Sequence, residues 1–222
     1  MEYLREIIIL RKKLPIGIQH AKNLLIETGG NVVQAENTFM ENMINIFMSK
    51  ESLDKEQATK YLEAANYDIG IAIKRLEADK YSITELCLMK NKNKEDALGN
   101  ILYAICEKHG YNYDYNFWLS WAKDCPKINA IEYNFVVLME WINYEAWEGD
   151  IIISPIVAQV CHDLKIQWLE DMLNNIINKN DDVEKIWNDE AYVLLKDTFL
   201  KRRSELINIL YEYVKENINI FP

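Results

Sequence analysis

An all-α fold is predicted for this chain by three features. The segment "NLLIETGGNVVQAE" (23–36) nearly repeats as "KYLEAANYDIGIAI" (60–73). Apolar residues elsewhere recur by threes and fours, the spacing of one helical face. Strand-like text is confined to "DIIIS" at 150–154. The expected architecture is a pair of tandem three-helix repeats followed by an acidic multi-helix domain, with a linker at "MKNKNKED" (89–96).

The first five helices are expected at 2–13, 17–28, 32–49, 54–65 and 69–80. At an offset of 37 residues, Ala21 falls on Ala58, Leu25 on Leu62, Asn31 on Asp68, Val32 on Ile69 and Ala35 on Ala72. Asn31 with Gln34, and Asp54 with Gln57, have the spacing of an N-cap and its box. Gly29-Gly30 corresponds to Asn66-Tyr67, where Gly and Asn tolerate the left-handed backbone that ends a helix. The paired glycines therefore stop one helix and let the next begin at once. The third helix closes the first bundle and opens the second, with Val32, Phe39, Met43, Ile46 and Phe47 at helical spacing.

The stretch 10–35 resembles the amino-terminal module of elongation factor Ts, a three-helix fold of the ubiquitin-associated (UBA-like) type. Leu10, Arg11, Gly17, Lys22, Leu25, Glu27, Thr28, Gly29, Gly30 and Ala35 carry the likeness in register. The second copy is similar to the UBA-like tail of bacterial sugar-phosphate etherases. The resemblance implies tandem UBA-like repeats at 1–48 and 49–88, whereas residues 94–222 are expected from their own helical spacing and charge to form an acidic Trp-rich helical domain. It also implies that the loop after the first helix, and part of the third, meet a partner protein. Ile16, Gly17 and Ile18 are the loop residues so assigned. The family's T-G-A-G-M loop is here Leu14-Pro15-Ile16-Gly17-Ile18, and the rest of an elongation factor Ts is not visible after residue 85. Nucleotide exchange is not expected.

The second half is expected to be helical at 95–109, 114–123, 129–148, 155–178 and 182–217, with a break near Thr198. Ser154-Pro155 is an N-cap followed by proline at the first helical position, and Asp181 with Glu184 spells a capping box. On helix 129–148, Ile128, Ile131, Phe135, Leu138, Ile142 and Ala146 make one aliphatic face. Tyr133, Val137, Glu140, Tyr144, Trp147 and Glu148 fall on the other side. Aromatics among carboxylates fit either a partner interface or a central helix buried on both sides.

Half of the 222 residues are hydrophobic, enough for a packed core. No apolar run nears the roughly 20 residues of a membrane span, and the amino end does not read as a secretory leader. Residues 1–92 hold 13 Lys+Arg and 13 Asp+Glu, whereas 93–222 hold 12 and 22. That excess of carboxylates opposes nucleic-acid binding, which needs a basic surface. Cys87, Cys106, Cys125 and Cys161 include no C-x-x-C pair, as expected of reduced thiols in a cytoplasmic protein.

Catalytic patterns are sparse. His162-Asp163 with His109 and one of Asp171, Asp181 or Asp182 would spell a helical metal phosphohydrolase of the His-Asp type, through imidazole and carboxylate ligation. The groups are scattered in sequence, and no metal or other cofactor is expected. His20 reads as a structural residue. No phosphate-cradling glycine motif occurs. The function expected is non-enzymatic binding of another protein through the UBA-like part. The alternative is a bacterial immunity-type protein whose acidic domain neutralises a basic toxin, and the phosphohydrolase is the weaker alternative.

Overall fold

The computed structural model describes residues 3–110, 128–179 and 189–222. Over these residues the protein is helical and contains no strand. Residues 150–154, which looked strand-like, form neither strand nor helix. No helix among them is long and apolar enough to cross a membrane. The chain divides into two compact units, Met1–Tyr81 and Ser82–Pro222.

The first unit holds α1 (Leu4–Lys13), α2 (Ile18–Glu27), α3 (Val32–Glu51), α4 (Lys55–Ala64) and α5 (Ile69–Lys80). Asn31, Asp54 and Asp68 cap α3, α4 and α5, each accepting a bond from the backbone N–H three residues on. After α2, the Gly30 N–H bonds to the Leu25 carbonyl at 2.7 Å, and after α4 the Tyr67 N–H bonds to Leu62 at the same 2.7 Å. Gly29 and Gly30 have φ of 60° and 82°, and Asn66 and Tyr67 have 50° and 59°. The two helix breaks thus share one geometry, made with glycines in the first case and without them in the second.

Two cores follow. Ile7, Leu10, Ala21, Leu25, Ala35 and Phe39 build the first. Ile44, Phe47, Ala58, Leu62, Ala72 and Leu76 build the second. Each member of the second set lies 37 residues after its counterpart. The amino-terminal half of α3 closes the first core, and its other half opens the second. Ile46, which the apolar spacing of α3 placed inward, is 40% exposed, and Ile44 takes the buried place.

The second unit begins earlier than the 89–96 stretch suggested. Ser82 caps α6 (Ile83–Lys90) through a full capping box with Glu85, and α6 packs on α7 (Lys94–His109). Only 91–93 separate them, so the polar stretch lies inside the unit and not between domains. Next come α8 (Ala130–Glu148), α9 (Pro155–Asp163), α10 (Gln167–Ile177) and α11 (Glu190–Glu216). The helix expected over 155–178 breaks at Leu164-Lys165-Ile166, where Lys165 adopts a φ of 59°. The break expected near Thr198 does not occur, and α11 runs through it. The expected helix 114–123 and the Asp181–Glu184 box lie outside the described residues.

The core of this unit gathers around α8, against which α7, α9 and α11 pack. Arg203 on α11 clamps Glu95 on α7, with Nη1 donating to Oε2 at 2.8 Å and Nη2 donating to Oε1. The guanidinium holds the Glu95 carboxyl below its ordinary 4.5. A depressed carboxyl contributes stability that is present above its unfolded pKa and lost as pH falls through the folded value. Arg203→Ala should therefore cost about 1 kcal/mol near neutrality, as a partly exposed bidentate pair does. In urea titrations the gap between wild type and Arg203→Ala should narrow as pH falls below the ordinary carboxylate range. A gap of constant width would contradict the clamp.

Candidate functional site

In the loop between α1 and α2, Leu14 and Ile16 are 4% and 6% exposed and belong to the first core. The Ile16 N–H folds back on the Leu14 carbonyl at 2.8 Å, which turns both side chains inward. Gly17 is the N-cap of α2 and has no side chain to cap with. Of the three loop residues assigned to a partner, Ile16 is therefore a core residue, while Gly17 and Ile18 lie at the surface. Ile18 is 53% exposed, and Ile26 and Val33 of the same unit are 52% and 64% exposed.

The aromatic and acidic side of α8 is not a solvent face. Every residue from Phe135 through Ile142 is buried, and Glu140 is 1% exposed. Tyr133 and Tyr144 are half-buried against the same core. Among the described residues of that side, only Glu148, at the helix end, is open to solvent. The side chain of Trp147 lies outside the described residues. A helix apolar on all sides sits inside its domain, and α8 is the central helix. Of the two expectations for this side, burial inside the domain holds for Glu140, while Tyr133 and Tyr144 stand half-buried at its edge.

The buried polar centre lies elsewhere, where α7 ends and α8 begins. The Glu132 side chain is 0% exposed. It accepts from Lys108 Nζ at 2.7 Å on Oε1, and from Asn129 Nδ2 at 2.7 Å on Oε2. His109 Nε2 stands 3.1 Å from Oε2, with its ring 5% exposed. Asn129 also caps α8, its Oδ1 accepting from the N–H groups of Ile131 and Glu132. Lys108 reaches the Ile220 carbonyl as well, at 3.3 Å. A buried carboxylate is tolerated only when its lone pairs are met, and here three side chains meet them. The cluster was missed in the sequence, although Asn129-x-x-Glu132 carries the spacing of a cap and its box.

The His-Asp set does not assemble. His109 is engaged by Glu132, whereas His162 is exposed and stands 3.1 Å from Glu170 through Nδ1. Asp163 accepts from Gln159 and Asp171 from Gln167, each one turn away on its own helix. Asp181 and Asp182 lie outside the described residues. Among the described residues no three His, Cys, Asp or Glu side chains are grouped as a metal site. Burial pushes the Cys106 and Cys161 thiols up to about 11 and about 12, which leaves them protonated and poor nucleophiles. Cys125 lies outside the described residues, and the His20 ring lies 5.7 Å from that of Phe39, tilted by 58°, in the first unit.

Fold and site together define an all-α protein of two helical units, with a buried ionic cluster holding the second unit together. A family model, the YfbN C-terminal domain, matches residues 82–219, and the chain belongs to that family. The match opens on Ser82, where the second unit opens. The uncharacterized protein YfbN of Escherichia coli (strain K12) is 33% identical over 233 residues, an alignment taking in 100% of this chain and 97% of that one. No solved structure matches the chain.

Proposed function

We propose that the first unit is a protein-docking module of UBA-like type and that the chain acts by binding another protein, not by catalysis. The observation that carries this reading is the exposure of Ile18 at the start of α2, beside a loop whose Leu14 and Ile16 are buried. In UBA-like modules that loop faces the partner, and the likeness of residues 10–35 supports the same use here. Isolated exposed aliphatics are ordinary on protein surfaces, so the reading turns on Ile18 acting as an anchor.

The test uses the full chain as bait in native lysate, followed by binding measurements on the captured protein. Ile18→Asp should weaken binding by about thirtyfold, the loss of an anchor contributing about 2 kcal/mol. Ile16→Asp is unsuitable, because it would place a charge in the first core. Unchanged affinity of Ile18→Asp, with circular dichroism intact, overturns the reading.

A second reading, the immunity-type function, is favoured by the net charge of −10 over residues 93–222. A basic partner drawn to that surface would associate faster at low salt, and added salt would slow it steeply. The aromatic side of α8 does not serve this reading, since Glu140 is buried.

A further inference from the structure

A groove of about 700 Å³ runs between the α9–α10 turn and the second half of α11. Leu164, Ile209 and Tyr213 supply apolar lining, and Lys165 is the only lysine or arginine among the described lining residues. Four carboxylates line it. Two of them, Glu205 and Glu212, are already bonded to Arg202 and Lys215. The other two, Asp163 and Glu216, are exposed and paired with no cation among the described residues. The lining on α11 extends from Ser204 to Asn217, about 20 Å of helix at 1.5 Å per residue.

The outer side of α1 has the matching chemistry. Leu4, Ile8 and Ile9 are 51%, 49% and 45% exposed, although they lie next to the buried Ile7 and Leu10. Arg5, Arg11 and Lys12 are exposed as well. At about 100° per residue these six side chains share one outward arc of about 160°, and Glu6 falls outside it. The helix is about 15 Å long, short enough to lie in the groove. Its exposed face is therefore aliphatic and cationic without a carboxylate.

We infer that α1 of one copy of this chain docks in the α11 groove of a second copy, its aliphatic side chains on the apolar lining and its cations toward Asp163 and Glu216. This is helix-in-groove recognition. Pairing of two α1 helices would set like charges together, so charge complementarity selects the groove of the other copy. Such a contact joins different surfaces of the two copies and gives a ring or an open chain. A single short helix buries less than the roughly 800 Å² per partner of a standard interface, so the association is weak and concentration-dependent. Ile18 takes no part in it, and its test reads self-association rather than capture of another protein.

Sedimentation velocity of the full chain over a dilution series, at about 50 mM and about 500 mM salt, tests the inference. The weight-average sedimentation coefficient should rise with concentration at low salt and return toward the monomer value at high salt. Arg11→Glu/Lys12→Glu and Asp163→Lys/Glu216→Lys should each remain monomeric, with helicity unchanged because all four positions are exposed. An equimolar mixture of the two variants should associate again, since each supplies the charge the other now needs. A monomer at every concentration overturns the inference, and so does association that both variants retain. Monomers that float with anionic vesicles, and lose that binding in Arg11→Glu/Lys12→Glu, would assign α1 to a lipid surface and overturn it as well.

Discussion

Gly30→Val is expected to lower the melting temperature of the first unit by about 10 °C or more. Gly30 has a φ of +82°, and a Cβ built there would fall 2.6 Å from Cε1 of Tyr3. Two costs combine. A β-branched residue is poorly accommodated in left-handed backbone, at about 1–3 kcal/mol. The Tyr3 ring, which packs on the first core, must also give way. Together these cost about 2–4 kcal/mol, and a unit of this size loses about 4–8 °C per kcal/mol. Gly29→Ala is the control: its φ is +60° but nothing lies within 4 Å of the added carbon. It should cost about 1 kcal/mol from backbone strain alone. Asn31→Ala removes the bond to the Gln34 N–H and should also cost about 1 kcal/mol. Equal losses from Gly30→Val and Gly29→Ala would mean that the Tyr3 ring imposes nothing.

The second large effect is expected at Glu132. Glu132→Ala strips the acceptor from Lys108, Asn129 and His109 in a closed space and should cost about 3–5 kcal/mol. Glu132→Gln keeps the shape but turns an amide donor against donors, at about 1–3 kcal/mol. Lys108→Met should cost less than either, because Lys108 is 41% exposed and water replaces part of its pairing. Urea midpoints at constant m-value give the three losses, and the Glu132→Gln/Lys108→Met cycle gives the coupling. Glu132→Ala within about 1 kcal/mol of wild type would contradict a buried Glu132 that holds its partners together.

Capping chemistry explains what was legible in the sequence. Asn31, Asp54 and Asp68 are polar residues at helix starts in a repeated frame, and they located α3, α4 and α5 to within two residues. The capping box of Ser82 and Glu85 went unread, and the lysines and asparagines that follow suggested a linker where α6 and α7 meet. Other features left no local mark. Lys165 follows α9 in a left-handed conformation closed by the Ile166 N–H on the Cys161 carbonyl, with no glycine to announce it. The Lys108–Glu132 bond joins residues 24 apart through the fold alone. Tyr133 and Glu140 could be written as surface or interior with the same letters. Only the packing of α7, α9 and α11 around α8 decides between the two.

The double use of α3 makes the first unit a short one-dimensional array in which neither repeat is a free-standing object. Met43 and Tyr67 touch both cores, and Phe39 and Phe47 lie two turns apart on the same helix. Excision after residue 48 would leave Phe47 and Ile44 bare, while excision before it would leave the second repeat without its opening helix. Nearest-neighbour coupling of this kind links the stability of adjoining repeats. Strain introduced at Gly30 should therefore raise hydrogen exchange at Leu62 and Leu76 as well as at Leu25, as one cooperative unit loosens along a common rod.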